Sequence, residues 1–206
     1  MKKTVGFISV VLLVLFSYHF VDRQTALYVK NLWKPGSRFS LFSISIPDIL
    51  FPVVCVITVV AWTAYAVLTR EGRHSRHALY FRLVAVTVPA SFLLKSLLKA
   101  IVGRINTRYW LSHPGLDELH WLRGRGHYSG FPSGHMAVFT ALAFATVRFY
   151  PRTRIACWAL LAALAAALVL TDYHFVGDVI AGAYLGYAIV RVSDASLPER
   201  APSRES

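Results

Sequence analysis

Residues 155–192 read IACWALLAALAAALVL-TDYHF-VGDVIAGAYLGYAIVRV, two apolar runs joined by a short junction that carries Asp172 and His174. A helix needs about twenty mainly apolar residues to cross the hydrocarbon core of a bilayer. Each run approaches that length and has no charge at its centre. We therefore predict two membrane helices, over residues 155–171 and 176–192, whose connecting turn lies at one face of the membrane.

The same kind of apolar run recurs along the rest of the chain, over residues 5–20, 49–68, 79–101 and 135–150. Of the 206 residues, 56% are apolar and only 16% are charged, a composition that excludes an ordinary soluble globular domain. We predict an all-α fold: a six-transmembrane-helix bundle forming a single domain over residues 1–192. An interfacial segment is expected over residues 22–48, between helices 1 and 2, where aromatic and basic residues alternate. Residues 193–206 are polar and are predicted to form a disordered tail.

The first apolar run follows Lys2 and Lys3 and also has the length of a signal peptide. Because no small-residue cleavage pattern follows it, we favour a retained helix. Outside one loop, most Lys and Arg residues fall on the side of the N-terminus, which predicts that both termini are cytoplasmic. The net charge of +12 is dispersed between apolar runs, so no nucleic-acid partner is predicted. Cys55 and Cys157 lie within apolar runs and indicate neither a disulfide nor a metal site.

Six crossings bring three separate parts of the chain to the same membrane face: the end of the third helix, the start of the fourth, and the junction between the fifth and sixth. The unusual polar residues lie there: Lys99, Arg104 and Arg108; Phe131-Pro132-Ser133-Gly134-His135; and Asp172, His174 and Asp178. Several cations beside a helix N-terminus match the oxygens of a phosphoryl group. The sequence therefore predicts a phosphate site at this face.

Each motif alone also has a simpler interpretation. Pro-Ser-Gly-His is compatible with a plain turn in which Ser133 caps the following helix. Asp178 is compatible with a first-turn acid that the helix dipole favours. If the last helix already includes His174, the spacing of four places it on one face with Asp178, whose carboxylate would orient the imidazole as a nucleophile. The convergence of the three segments favours the catalytic interpretation.

These motifs resemble the signature of the type 2 phosphatidic acid phosphatase superfamily, membrane-embedded lipid phosphatases related to vanadium haloperoxidases. The second family motif, Pro-Ser-Gly-His, is complete at residues 132–135. Of the third, Ser-Arg-x5-His-x3-Asp, the second half is present as His174 and Asp178. Of the first, Lys-x6-Arg-Pro, Lys99 remains, followed by the common Gly103-Arg104. The resemblance covers about residues 95–190.

The resemblance implies a metal-independent reaction without a cofactor. His174 would attack phosphorus to give a phosphohistidine, Asp178 would orient it, and His135 would protonate the leaving oxygen. Lys99, an arginine of the first motif, Ser133 and the Gly134 amide would hold the phosphoryl oxygens. With the termini cytoplasmic, we expect the chain in a bacterial inner membrane with the active site on the periplasmic face.

Two departures from the family pattern leave residue roles open. Asn106 stands where the first motif has arginine, so the cation must come from Arg104 or Arg108, and we favour Arg108. Leu168 stands where the third motif has arginine, and Arg125 or Arg123 in the loop before Pro132 could replace that clamp.

Other polar and small residues have structural explanations. His113, His120 and His127 recur every seven residues and could suggest zinc, but loop histidines without accompanying ligands favour solvent exposure. Gly182 and Gly186 predict close helix packing. Lys95, one turn before Lys99, is expected to extend to the interface.

The sequence thus predicts an integral membrane enzyme whose partners are a phosphorylated lipid and the bilayer, with its oligomeric state open. The substrate class includes polyprenyl diphosphate, lipid A and phosphatidyl-type phosphates. A lipid phosphotransferase, and a non-catalytic scaffold or lipid transporter, are the alternatives.

Overall fold

The computed structural model describes residues 2–32, 46–70, 75–113, 115–116 and 118–196. Over these residues the chain is helical, and its β-structure is one isolated bridge between Arg104 and Leu119. The helices are α1 (Lys2–Phe16), α2 (Asp22–Leu32), α3 (Ile46–Thr69), α4 (Arg76–Val102), α5 (Thr107–Ser112), α6 (Gly134–Phe149), α7 (Arg154–Leu170) and α8 (Val176–Asp194). The predicted all-α class is confirmed for this part of the chain.

Five helical stretches are long and apolar enough to cross a membrane: Thr4–Leu32, Ile49–Thr69, Arg76–Val102, Pro151–Leu170 and Val176–Asp194. A sixth apolar helix, α6, has 16 residues and is shorter than these spans. All six predicted apolar runs therefore form helices, and all but the first begin and end within a few residues of the predicted positions. A bundle with six complete crossings stays a prediction.

The first helix is longer than predicted. We placed its end at residue 20 and assigned residues 22–48 to an interfacial segment, but the helix continues through a π-helical turn, Ser17–Val21, into α2 and ends at Leu32. The prediction was wrong because Asp22 follows the apolar run and looks like the solvated end of a helix, whereas its side chain is buried. Residues 33–45 of the predicted segment lie outside the described residues.

Helices α4, α6 and α8 form the centre of the bundle, and glycines on α8 allow the closest approach. A Cβ on Gly182 would lie 2.4 Å from the carbonyl oxygen of Ser133, and one on Gly186 would lie 2.2 Å from that of Ala137. Real Cβ atoms do not approach backbone oxygens so closely, so both positions require glycine. This is the packing role predicted for the two residues.

The segment between α4 and α6 folds back across one end of the bundle. Helix α4 ends at Val102 and is capped by Gly103, which has a left-handed φ of 57° and where a Cβ would lie 2.0 Å from the carbonyl oxygen of His120. The Ile105 N–H donates to the carbonyl of Glu118 at 2.8 Å, and the Gly130 N–H donates to that of Arg104 at 2.8 Å. These backbone bonds hold Arg104 against the end of the bundle.

The C-terminal helix extends past the predicted domain boundary. Helix α8 continues to Asp194, whose carboxylate binds the Arg148 guanidinium at 2.9 Å. The predicted tail therefore begins inside a helix, because this ion pair joins its first residues to α6. Residues 197–206 lie outside the described residues.

Candidate active site

The N-termini of α6 and α8 meet at one end of the bundle. The segment between α4 and α6, which we call the covering loop, folds across this end. The Ser133 N–H donates to the carbonyl oxygen of Asp178 at 3.0 Å, which joins the second and third motifs through the backbone. The Ser133 hydroxyl caps α6 by accepting the Met136 N–H at 3.4 Å. Ser133, Gly134 and His135 are all buried. The predicted cap is present, and the motif lies at the interface between two helices rather than in a plain turn.

His174 lies in the turn before α8 and not on the helix itself. Helix α8 begins at Val176, so the shared helical face that we considered for His174 and Asp178 is absent. Asp178 instead lies in the first turn and reaches back: its Oδ2 accepts the Phe175 N–H at 3.1 Å and lies 3.6 Å from His174 Nδ1. The same carboxylate therefore stabilises the helix start and faces the imidazole.

The environment of His174 favours a neutral imidazole. The ring is 4% exposed. Burial lowers the pKa of His174, and the Asp178 carboxylate opposes that shift, while the nearby charge of Lys99 lowers the pKa further. A neutral imidazole with Nδ1 towards a carboxylate keeps its other ring nitrogen as a nucleophile.

Tyr173 brings the two predicted catalytic histidines together. Its ring centroid lies 4.9 Å from that of His174 and 5.8 Å from that of His135, both in edge-on geometry. The guanidinium of Arg108 lies 5.3 Å from the same ring. Side chains from α5, α6 and the turn before α8 thus converge on one aromatic ring. Sequence analysis did not single out Tyr173, because its importance depends on contacts that its own neighbours in the chain do not reveal.

Two lysines of α4 approach the start of α6. Lys99 Nζ donates to the carbonyl oxygen of Ser129 at 2.6 Å, in the loop just before the second motif. Lys95 lies with its side-chain carbons near Gly134, where a Cβ would be 3.2 Å from Lys95 Cδ. Lys95 Nζ lies 4.1 Å from the Phe92 ring. Lys95, which we expected at the interface, therefore borders the predicted site.

The candidate phosphate-binding arginines occupy different environments. Arg104 is 2% exposed and donates from Nη1 to Asp178 Oδ1 at 2.7 Å and from Nη2 to Asp22 Oδ2 at 2.8 Å. Burial alone would lower the pKa of Arg104, but the carboxylates of Asp178, Asp22 and Glu118 raise it above its ordinary value. Its guanidinium is thus directed at acids and not at a phosphate site.

Arg108 is directed towards the junction of α7 and α8. It donates from Nη2 to the Thr171 carbonyl oxygen at 2.9 Å. Burial lowers the pKa of Arg108, and the charges of Tyr173 and Asp172 partly oppose that shift. Burial also raises the pKa of Asp172 to about 6, opposed by Arg108 and Lys30. Arg123 and Arg125 are exposed on the covering loop.

The three loop histidines contact aromatic rings. His113 and His127 both stack on the ring of Tyr109, with ring centroids 4.2 and 3.8 Å from the Tyr109 centroid. His120 meets Tyr128 edge-on at 4.2 Å. These contacts give the seven-residue recurrence a packing role.

Asp22 is the acid of this site that sequence analysis missed. Its Oδ1 accepts the Gly177 N–H at 2.9 Å, in addition to the bond from Arg104. In the sequence it follows the first apolar run, where it resembles the solvated end of a helix. The signal that could have found it is an ionisable residue inside a continuous helix long enough to span the membrane, which is seldom incidental.

A family model for the PAP2 superfamily matches residues 79–200. The lipid A 1-phosphatase of Rhizobium etli is 31% identical over 123 residues, covering 58% of this chain and 53% of that protein. The lipid A 1-phosphatase of Rhizobium johnstonii is 31% identical over 123 residues, covering 58% and 50%. The chain thus spans about half the length of the curated relatives it matches.

A solved structure resembles the whole bundle. The crystal structure of the first transmembrane PAP2 type phosphatidylglycerolphosphate phosphatase from Bacillus subtilis has a TM-score of 0.60 at 18% identity, covering 98% of this chain and 100% of that one. At this identity the likeness concerns the fold.

Proposed function

The chain belongs to the PAP2 superfamily, and from this premise we propose that it is an integral-membrane phosphatase that hydrolyses a lipid phosphomonoester or diphosphate through a phosphohistidine. The observation that carries the proposal is the pair of buried imidazoles on one Tyr173 ring, with the Asp178 carboxylate at Nδ1 of His174. A nucleophile and a proton donor from different helices are what such a two-step reaction requires.

In the proposed first step, Nε2 of His174 attacks phosphorus opposite the lipid oxygen. The bond from phosphorus to that oxygen breaks, and the departing oxygen takes a proton from protonated His135. In the second step neutral His135 accepts a proton from water, the hydroxide attacks phosphorus, and inorganic phosphate leaves His174. Asp178 stabilises the positive charge that His174 acquires in the first step.

The phosphoryl oxygens are assigned to Lys99, the start of α6 at Ser133 and Gly134, and Arg108. The N-terminus of α6 supplies backbone N–H groups and a favourable dipole. Between the two arginines of the first motif, the geometry favours Arg108, because Arg104 binds two carboxylates. Arg125 stays a second candidate for the clamp missing at Leu168. These donors would stabilise the charge that develops on the phosphoryl group without a metal ion.

Two proteins similar to this chain carry the name lipid A 1-phosphatase, which makes lipid A the first substrate to test. Phosphatidylglycerolphosphate is the second, from the name of the structural relative, and polyprenyl diphosphate the third. We place the site on the periplasmic face of a bacterial inner membrane, with cytoplasmic termini.

The test uses the full chain in nanodiscs with each of these lipids and a chelator. Release of inorganic phosphate from at least one lipid is expected, together with an acid-labile, alkali-stable phosphoprotein after brief exposure to radiolabelled substrate. His174→Ala should abolish the label, whereas the loop variant His127→Ala should retain it. Metal-dependent turnover would contradict the mechanism.

The product distinguishes the alternatives. Label that appears in another lipid instead of free phosphate would make the protein a phosphotransferase. Inactivity of the wild type towards every lipid would favour a scaffold or transporter.

A further inference from the structure

A cluster of buried charges lies behind the catalytic residues; we call Asp22, Arg104 and Asp178 the buried cluster. The guanidinium of Arg104 lies between the two carboxylates at 2.8 and 2.7 Å, and all three side chains are at most 2% exposed. One cation between two anions leaves the cluster with an uncompensated negative charge. Glu118 lies further away, at 3.8 Å from Arg104, and is itself bound by Arg23.

A distortion of the first helix turns Asp22 inward. The Asp22 N–H bonds the carbonyl of Ser17, five residues earlier, in the π-helical turn Ser17–Val21. This wider turn places Ser17 and Asp22 on the same buried side of a helix whose other residues in this region are mostly exposed. Turns of this kind occur frequently at functional sites. The helix thus departs from regular geometry at the point where it supplies an acid to the bundle.

Asp22 also holds the start of α8. The residue before this helix is Phe175, whose side chain has no oxygen to cap the helix. Asp22 Oδ1 takes that place by accepting the Gly177 N–H at 2.9 Å. A Cβ on Gly177 would lie 3.0 Å from Asp22 Oδ2, so glycine makes room for the carboxylate. The turn that carries Asp178 is therefore bound to Asp22 through the backbone and through Arg104.

These contacts fix both oxygens of Asp178. Oδ1 accepts from Arg104, and Oδ2 accepts the Phe175 N–H, which leaves Oδ2 facing His174 Nδ1 at 3.6 Å. If Arg104 served Asp178 alone, the guanidinium would neutralise the carboxylate that His174 depends on. Because Asp22 shares the same guanidinium, the two carboxylates together leave a net negative charge near the imidazole, which favours its protonated form.

We propose that Asp22 is a positioning residue for the reaction: through Arg104 and the first turn of α8, it keeps the Asp178 carboxylate oriented and adds negative charge to the buried cluster that faces His174. The inference rests on the proposed function, because it concerns the histidine that would attack phosphorus. Asp22 does not touch the substrate. Its effect is transmitted by side chains from three separate segments, in the first helix, after α4 and on α8.

The pH dependence of His174 depends on all the charged and titratable groups that its neighbouring elements present. These are Asp22 from α2, Lys99 from α4, Arg104 and Arg108 after α4, His135 from α6, Asp172 and Tyr173 from the preceding turn, and Asp178 from α8. Loss of the Asp22 charge makes this set more positive, which disfavours the imidazolium form.

The test compares Asp22→Asn and Asp22→Glu with wild type in nanodiscs, on a lipid that the wild type hydrolyses. In Asp22→Asn an amide oxygen still accepts the Gly177 N–H, but the charge is lost. We expect kcat to fall about 10- to 100-fold, the range found when a residue that orients a metal-binding histidine is replaced, with KM little changed. The acid limb of kcat/KM should move to lower pH by about half a unit or more, since the imidazolium is less stabilised. Asp22→Glu keeps the charge and should keep the wild-type acid limb.

Asp194→Asn is the matched control, because it removes an acid from an exposed arginine, Arg148, at the other end of the bundle. It should leave kcat and the acid limb at wild-type values. Asp22→Ser retains a short oxygen acceptor without charge and replaces Asp22→Asn if that variant does not accumulate.

Two results would overturn the inference alone: wild-type kcat and acid limb in the uncharged variants, or a loss of activity that follows the folded fraction while the acid limb stays in place. The second result would mean that Asp22 only stabilises the fold. A wild type that releases no phosphate from any lipid would overturn the proposed function, and this inference with it.

Discussion

The two ends of the helix bundle use arginine in opposite ways. At the end that carries the proposed active site, which we call the active-site end, Arg104 is buried between two carboxylates. At the other end a cavity of about 690 Å³ is lined by Arg76, Arg148 and Arg152, and the Arg148 side chain is 48% exposed where it binds Asp194. Arg76 lies 4.9 Å from the Tyr150 ring.

The difference shows how burial decides what a charge contributes. An exposed ion pair is worth at most about 1 kcal/mol, because water solvates either partner once the pair is broken. A buried charge that loses its partner cannot be solvated, and the loss is several times larger. The buried cluster therefore depends on each of its charges, while the exposed ion pair at the other end tolerates their removal.

The sharpest contrast between the two ends concerns their histidines. We expect His174→Ala to reduce kcat by about 10⁴-fold or more, as when a triad member is removed. His77, whose Nδ1 lies 2.6 Å from the Tyr150 hydroxyl at the opposite end, is the matched control, and His77→Ala should keep wild-type turnover. Phosphate release at equal protein level measures both. Comparable losses in the two variants would remove the functional distinction between the ends.

The next contrast concerns stability. Arg104→Met leaves the carboxylates of Asp22 and Asp178 buried without their cation, so the free energy of unfolding should fall by about 3 to 5 kcal/mol. Arg148→Met, at an exposed pair, should change it by no more than about 1 kcal/mol. Equilibrium unfolding in mixed micelles measures both variants. A small loss for Arg104→Met would mean that its ion pairs do not stabilise this end.

A smaller effect is expected for substrate binding. If Arg108 holds a phosphoryl oxygen, Arg108→Ala removes a charge-assisted hydrogen bond of about 1.5 to 3 kcal/mol and lowers kcat/KM roughly 10- to 100-fold. Arg152→Ala at the other end should leave kcat/KM unchanged. Near-normal kcat/KM in Arg108→Ala, with a loss in Arg125→Ala, would transfer the clamp to the covering loop.

The smallest predicted effect is a change in the pH dependence of stability. The pKa of Asp172 rises from 3.8 to about 6 on burial, so this carboxyl favours the folded state while protonated. The stability that the protonated Asp172 carboxyl adds to the folded state is fully present below about pH 4, and it is lost as the pH rises through about 6. Asp172→Asn keeps a residue type that tolerates the positive φ of 53° at this position and cannot ionise. The Tm of the variant should fall less than that of wild type between pH 4 and pH 7, and an equal fall would contradict the assignment.

Much of this architecture could be predicted from the sequence, because the length of an apolar run indicates a membrane helix directly. The runs that became α4, α6, α7 and α8 were placed within a few residues, and the crossing order brought His135 and His174 to one end. The end of the first helix could not be predicted, since Asp22 looks solvated until Arg104 is known to meet it. The environment of Arg104 depends on acids far away in the chain, and Tyr173 matters only through its contacts.

The length of α6 bears on how deep in the membrane the proposed site would lie. Sixteen residues rise about 24 Å along a helix axis, roughly 6 Å less than the hydrocarbon thickness of a typical bilayer. With Phe149 at one boundary of the hydrocarbon, Gly134 would lie about 6 Å inside the opposite boundary, below the plane of the lipid phosphates. For the proposed reaction the lipid headgroup would therefore move towards Gly134 while its acyl chains stay in the leaflet, so the substrate would be drawn inward instead of being pulled out of the membrane.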